Sequence, residues 1–225
     1  MSDVDLAAAA RLIAEPVRAA ILSALLDGRA LTAGELAKLA GVGAPATSSH
    51  LSQLLDAGFL RRWPQGRHRY YALAGPEIAG ALEALAVISP PLPARTLRAS
   101  GAANALRPAR LCYDHLAGEL GVRIYDRLVA IGGLVLDDRG LALNPSGAEW
   151  FALSDVRPPD RPTRRALLRP CLDWTERRPH LAGHLAATFA TAALDREWVV
   201  RRAPGERGLR ITELGREHFA TVLPA

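Results

Sequence analysis

The chain has 225 residues, enough for one large domain or two small ones at ~100–200 residues per domain. Hydrophobic residues make up 49% and charged residues 23%, which excludes wholesale disorder; aromatics are only 5%, so the core must rest mainly on Leu, Ala, Val and Ile. The formal charge is +5, carried almost wholly by arginine, and two cysteines cannot form a disulfide framework, so a reduced cytoplasmic setting is expected.

The first residues, Met-Ser-Asp-Val-Asp, are acidic where an export signal would be basic. The longest strongly apolar run, Leu128 to Leu136, is about half of the ~20 residues a spanning helix needs. A soluble cytoplasmic protein without a membrane partner is expected.

Pro16 is placed to open a helix running to Leu26, with Asp27-Gly28 closing it and Ile21, Leu22, Leu25 and Leu26 on one face. Thr32-Ala33-Gly34-Glu35 fits a capping box at the head of a short helix through Leu39. Gly41-Val42-Gly43 makes a tight turn. The next helix runs from about Ala44 to Ala57, with Leu51, Leu54 and Leu55 inward, Thr47, Ser48, Ser49 and Gln53 outward, and Gly58 as its stop. Phe59 to Trp63 and Arg67 to Leu73 read as strands about Pro64-Gln65-Gly66, and Glu77 to Ile88 as a further helix.

Helix, short helix, turn, helix and basic hairpin is the order of a winged helix-turn-helix. A helix entering the major groove needs small hydrogen-bonding side chains near its start, and Thr47, Ser48 and Ser49 supply them, with His50 and Gln53 beside them. On the hairpin Arg61, Arg62, Arg67 and Arg69 lie within nine residues free of acid, and with His68 and Tyr70 they are candidates for phosphate and groove contacts. Leu6, Leu12 and Ile13 on the first helix, with Ile78, Leu82 and Leu85 on the last, make an apolar face larger than one small domain needs. A two-fold dimer would bury it.

Ala14-Glu15-Pro16-Val17-Arg18-Ala19-Ala20-Ile21-Leu22, Glu35-Leu36-Ala37, Ser48-Ser49-His50-Leu51-Ser52-Gln53-Leu54, Ala57-Gly58-Phe59-Leu60 and Gly66-Arg67-His68-Arg69-Tyr70-Tyr71-Ala72-Leu73 together resemble the ArsR/SmtB family of bacterial repressors over roughly residues 5–88. The cadmium- and lead-responsive branch is nearest, from Ala24-Leu25-Leu26-Asp27-Gly28 and the wing. The resemblance implies a homodimer on dyad-symmetric operator DNA, released when an inducer, often a soft or borderline metal ion, binds. The family's sensor cysteines are absent from Glu35–Ala40 and Leu51–Gly58, and Glu77 and Glu83 stand without the histidine that zinc sensors carry on the last helix.

Ser89-Pro90-Pro91-Leu92-Pro93 is the clearest break and sets the expected organisation: residues 1–89 for DNA binding and dimerisation, 90–94 as linker, 95–225 as an effector domain. The latter holds an internal repeat, about 107–154 and 166–222. Leu143-Asn144-Pro145-Ser146-Gly147-Ala148-Glu149-Trp150-Phe151 matches Ile211-Thr212-Glu213-Leu214-Gly215-Arg216-Glu217-His218-Phe219. Arg110-Leu111-Cys112-Tyr113-Asp114-His115-Leu116-Ala117-Gly118 matches Arg169-Pro170-Cys171-Leu172-Asp173 followed by His180-Leu181-Ala182-Gly183. With H-L-A-G read as helix, each copy is a degenerate winged-helix-like unit. The expected class is mainly α with short β-hairpins (α+β).

Both cysteines occupy the same place in the two copies. Thiolate and imidazole suit soft and borderline divalent ions, so Cys112, His115, Cys171 and His180 could form a metal site, with Asp114, Asp173 and His184 behind them. Helical spacing would put Cys112 and His115 on one face, and His180 and His184 on another. Thiol oxidation, an organic ligand and plain core packing stay open for the same residues. No G-x-S-x-G, P-loop, H-E-x-x-H or G-x-G-x-x-G arrangement is present, and a non-enzyme is expected. The expected function is a sequence-specific DNA-binding regulator, a repressor released by an effector. The alternative is a winged-helix protein-interaction module without operator binding.

Overall fold

The computed structural model describes residues 4–66, 68–90, 105–137, 140–203 and 206–224. Two units divide the chain, Met1–Leu82 and Glu83–Ala225. The division falls inside the helix that precedes the proline-rich stretch, which from Pro91 onward lies outside the described residues.

In the first unit, α1 (Leu6–Ala14) is capped by Asp5, whose carboxylate accepts from the Ala8 N–H, and α2 (Pro16–Ala24) by Glu15, which accepts from Arg18 N–H. Pro16 stands where a missing N–H costs nothing. After β1 (Leu31–Thr32) comes α3 (Ala33–Ala40). Its capping box is complete: Thr32 Oγ1 accepts from Glu35 N–H, and the Glu35 carboxylate accepts from Thr32 N–H. Then follow α4 (Ala44–Asp56), β2 (Leu60–Gln65), β3 (His68–Leu73) and α5 (Pro76–Ile88). The strands form one antiparallel sheet in the order β1-β3-β2.

Ile21, Leu22, Leu25, Leu36, Leu51, Leu54 and Leu73 are fully or almost fully buried, and α2 packs on both α3 and α4. Arg18 ties α1 to this core: its guanidinium donates to the carbonyls of Arg11 and Leu12, the last turn of α1. Two boundaries differ from expectation. The second helix ends at Ala24 although Leu25 and Leu26 stay buried, and the wing's first strand runs through Pro64 to Gln65, which pairs with His68.

The second unit repeats one order twice: hairpin, helix, hairpin, helix. The first copy is β4 (Arg110–Cys112), β5 (His115–Ala117), α6 (Gly118–Ala130), β6 (Leu134–Asp137), β7 (Gly140–Leu143) and α7 (Pro145–Ala152). The second is β8 (Arg169–Leu172), β9 (Pro179–Ala182), α8 (His184–Asp195), β10 (Val199–Arg201), β11 (Leu209–Ile211) and α9 (Glu213–Val222). Every hairpin is antiparallel.

H-L-A-G is therefore not helix, as expected from sequence, but a strand whose glycine turns the chain into the next helix. Gly118 and Gly183 do this with φ of 77° and 109°, and a Cβ on either would lie under 3 Å from a backbone carbonyl oxygen, that of Arg107 or Leu167. Those carbonyls have a task. Arg107 and Pro108 accept from the Glu119 and Leu120 N–H groups of α6, and Ala166 and Leu167 from the His184 and Leu185 N–H groups of α8, so backbone carbonyls cap the first turn in both copies.

The copies pack reciprocally, with β5 beside β9, α6 against β9 and α8 against β5. Trp150, Phe151, Phe189 and Phe219 are buried in a shared core with Leu120, Leu128 and Leu185, and Trp198 packs against it. Trp150 Nε1 donates to the Val222 carbonyl at 2.7 Å, so this indole is satisfied across the two copies. Among the described residues, no helix is long and apolar enough to cross a membrane.

Candidate nucleic-acid interface and candidate metal centre

Gly43 precedes α4 without a side-chain cap, and Pro45 occupies its first turn. Ser48 and Ser49 are exposed one turn into the helix, placed to reach a base edge. Gln53 is also exposed, and its amide oxygen accepts from Arg18 Nη1 at 2.9 Å, which orients it from α2. His50 is half-buried, its Nδ1 3.5 Å from the Glu15 carboxylate.

Thr47 departs from the outward placement expected of it. It is 0% exposed and its hydroxyl donates to the Gly43 carbonyl at 3.0 Å, so it locks the helix start and faces no DNA. On the wing Arg61, Arg62, His68 and Arg69 are exposed and Tyr70 is half-buried. Arg61 lies over the Trp63 ring at 5.5 Å, and the His68 and Tyr70 rings meet edge to face. Arg67 lies outside the described residues.

In the second unit Cys112, His115, Cys171 and His180 converge: one ligand atom from each falls within 4.8 Å of all the others, and all four residues are buried. Their pairing corrects the expected helical spacing. Cys112 faces His115 across the β4–β5 ladder, and Cys171 faces His180 across β8–β9, so each hairpin presents one Cys–His pair. The four meet because β5 lies beside β9. The Sγ atoms are 4.0 Å apart and the Nε2 atoms of the stacked imidazoles 3.2 Å apart. His184 is not among the converging groups; it opens α8 beyond the Gly183 turn.

Carboxylates stand behind both imidazoles. His115 Nδ1 is 3.2 Å from Asp114, whose carboxylate takes both guanidinium nitrogens of Arg165. His180 Nδ1 is 3.7 Å from Asp173, which pairs with fully buried Arg110 at 2.9 Å and accepts from Gly118 N–H and from Thr175. Burial works against the charge on Asp114, but His115 and Arg165 hold its pKa down to about 2. Asp173 is held lower still: burial opposes ionisation there too, and Arg110, Thr175 and the Gly118 N–H overcome it.

The thiols divide. Hydrogen bonding from Cys112, then from the two histidines, puts Cys171 far below the ordinary thiol range, while the same thiol–thiol bond and burial push Cys112 well above it. Burial opposes charge on His115 too, yet Asp114 and Cys171 raise it.

Sequence reasoning missed Arg110 and Arg165, which clamp the two aspartates. Arg110 is the first residue of R-x-C-x-D, a signal that was readable; Arg165 carries none.

Against this geometry, a helix-turn-helix domain model matches residues 13–62. The chain is 39% identical over 216 residues to the HTH-type transcriptional regulator YdfF of Bacillus subtilis, spanning 96% of this chain and 95% of that protein. The chain belongs to the HTH-type transcriptional regulators. As the sequence implied, this is a DNA-binding transcriptional regulator. It is 40% identical over 82 residues to the HTH-type transcriptional regulator CmtR of Mycobacterium bovis, covering 36% of this chain and 69% of that protein. The solved structure of the cadmium metal-sensor CmtR from Mycobacterium tuberculosis is 36% identical, covering 40% of this chain and all of that one, with a TM-score of 0.33.

Proposed function

We propose that this regulator is a homodimeric repressor that grips dyad-symmetric operator DNA with α4 and the wing, and lets go when an effector acts on its second unit. The observation that carries the DNA-binding half is the shared exposure of Ser48 and Ser49 on α4 and of Arg61, Arg62 and Arg69 on the hairpin. The dimer rests on α1: none of its residues is buried although eight of nine are Ala, Leu or Ile, and Leu85 and Ile88 of α5 are exposed as well. Two copies joined there would place two recognition helices on one face of the duplex.

The effector acts at the Cys–His cluster, as a soft or borderline ion or as a thiol oxidant. The first unit lacks both the sensor cysteines and the last-helix histidine that the family resemblance would place there, and both of the chain's cysteines stand in the cluster. A catalytic use of the cluster is disfavoured, since its four side chains are closed to a substrate by burial. Gel shift on DNA from the protein's own promoter is the test. Specific retardation that Ser48→Ala and Ser49→Ala weaken supports operator binding, and no retardation at low salt favours the protein-interaction alternative.

A further inference from the structure

We infer that Cys112, His115, Cys171 and His180 form a closed, four-coordinate site for one divalent ion of the zinc class, and that this ion fastens the two copies of the duplicated unit to each other. The inference deepens the reading of the second unit as the effector-bearing part, and the binding itself is independent of DNA. Its first support is metric. Tetrahedral Zn–S and Zn–N bonds of about 2.3 and about 2.0–2.1 Å require an S···S edge of about 3.8 Å and an N···N edge of about 3.3–3.4 Å. The protein holds these edges at 4.0 and 3.2 Å. These two edges need only a few tenths of an ångström; the S···N edges, about 3.6 Å in such a tetrahedron, are held within 4.8 Å and would close further on binding.

The second support is the donor set. Two thiols and two imidazoles select a borderline or soft ion over magnesium or calcium, which take oxygen. All four positions are filled by protein and all four side chains are buried, the mark of a site that holds structure instead of turning over a substrate.

The third support is what surrounds the donors. The facing Nε2 atoms point lone pairs at each other unless a proton lies between them, and an ion between all four groups would use each lone pair productively. With Nε2 on the metal, Nδ1–H of His115 is left to donate to Asp114, and that of His180 to turn to Asp173; Asp114 is pinned by Arg165 from the segment just before the second copy, and Asp173 by Arg110 of the first copy. Nδ1 of His180 is buried and has no hydrogen-bond partner at 3.7 Å, so a small turn of its ring toward Asp173 is expected on loading. Because each hairpin contributes one Cys–His pair, the ion would join residues 59 apart in sequence and staple β4–β5 to β8–β9.

The test is cobalt titration of the reduced, chelator-treated full chain, followed by absorption. One ion per chain, with the intense visible bands of tetrahedral cobalt and a thiolate charge-transfer band in the near ultraviolet, is expected. Zinc should displace it at one equivalent. Cys171→Ser should weaken the charge-transfer band, and Asp114→Asn should lower affinity 10–100-fold while keeping the tetrahedral bands. If either variant fails to fold, the wild-type spectrum still decides. Pale octahedral bands, uptake that Cys171→Ser leaves unchanged, or no uptake by fully reduced protein overturns the inference, as does a finding that Cys112–Cys171 oxidation is the sole reaction of the site. Gel shift on the same preparation separates the two readings: DNA binding without metal uptake sinks the metal site alone, and metal uptake without DNA binding sinks the operator reading alone.

Discussion

Arg110 is a fully buried cation whose removal should be felt throughout the second unit. Its guanidinium pairs with Asp173 at 2.9 Å, donates to Thr175 Oγ1 at 3.1 Å and lies 5.0 Å from the Trp174 ring centre. Arg110→Met keeps most of the volume but strands the Asp173 carboxylate. Breaking a buried pair from one side costs about 3–5 kcal/mol. Asp173 would keep its bonds from Gly118 N–H, Thr175 and Glu176 N–H, which puts the expected loss near the lower end, ~3 kcal/mol. With a urea slope of ~1–3 kcal/mol/M, the midpoint should fall by ~1–3 M. Urea unfolding of metal-free, reduced protein, followed by tryptophan fluorescence, measures this. Arg110→Met with Asp173→Asn should lose less than Arg110→Met alone, since no unpaired charge is then left inside. A cost below ~1 kcal/mol for the single variant would refute the claim that this pair holds the copies together.

Three other outcomes are expected. Arg61→Ala and Arg69→Ala should each weaken specific and nonspecific DNA binding alike and lower the salt slope by ~0.9 per lost phosphate contact, whereas Ser48→Ala and Ser49→Ala should blunt discrimination among operator variants by roughly 1–3 kcal/mol per lost base contact; fluorescence anisotropy at several salt concentrations checks both. Light scattering at micromolar concentration should give twice the 24.1 kDa chain mass, and Leu6→Glu with Ile88→Glu should return it to a monomer. His218, stacked on Trp198, is held below its ordinary pKa by burial and by the Arg196 charge. The unfolded chain then binds the proton more readily, so thermal stability should be flat above the unfolded value of about 6.5 and fall as pH drops through the lower folded value, a slope that His218→Gln should flatten.

The first unit was legible because its signals are local. Pro16 and the Thr32–Glu35 box mark helix starts through backbone hydrogen bonds made within four residues, and Gly66 with its flanking strands marks the wing. Thr47 was misread because a threonine counts as polar in any pattern, while its hydroxyl is consumed by the carbonyl four residues back. In the second unit the four candidate residues do converge, but by a geometry other than the one expected. Cys112 and His115 were placed three apart on a helix, whereas they are cross-strand partners about Tyr113-Asp114, a turn without Gly or Pro that takes φ of 60° at Tyr113. Three-residue apolar runs such as His115–Ala117 fit either period, and only the hairpin's pairing decides. What the repeat did convey was equivalence. Two cysteines at matching positions meet once the copies pack reciprocally. The arginine–aspartate pairs, Arg110–Asp173 between the copies and Arg165–Asp114 from the connecting segment, 63 and 51 residues apart, leave no periodic trace.

The most direct test of a second unit that governs DNA binding is the operator affinity of one preparation measured twice by anisotropy, metal-free and reduced, then loaded with one equivalent of zinc or cadmium. A coupling of ~1–3 kcal/mol would make the loaded protein bind its operator 5–150-fold more weakly, with nonspecific binding changed far less. Equal affinities in the two states, with the ion shown to be bound, would contradict it.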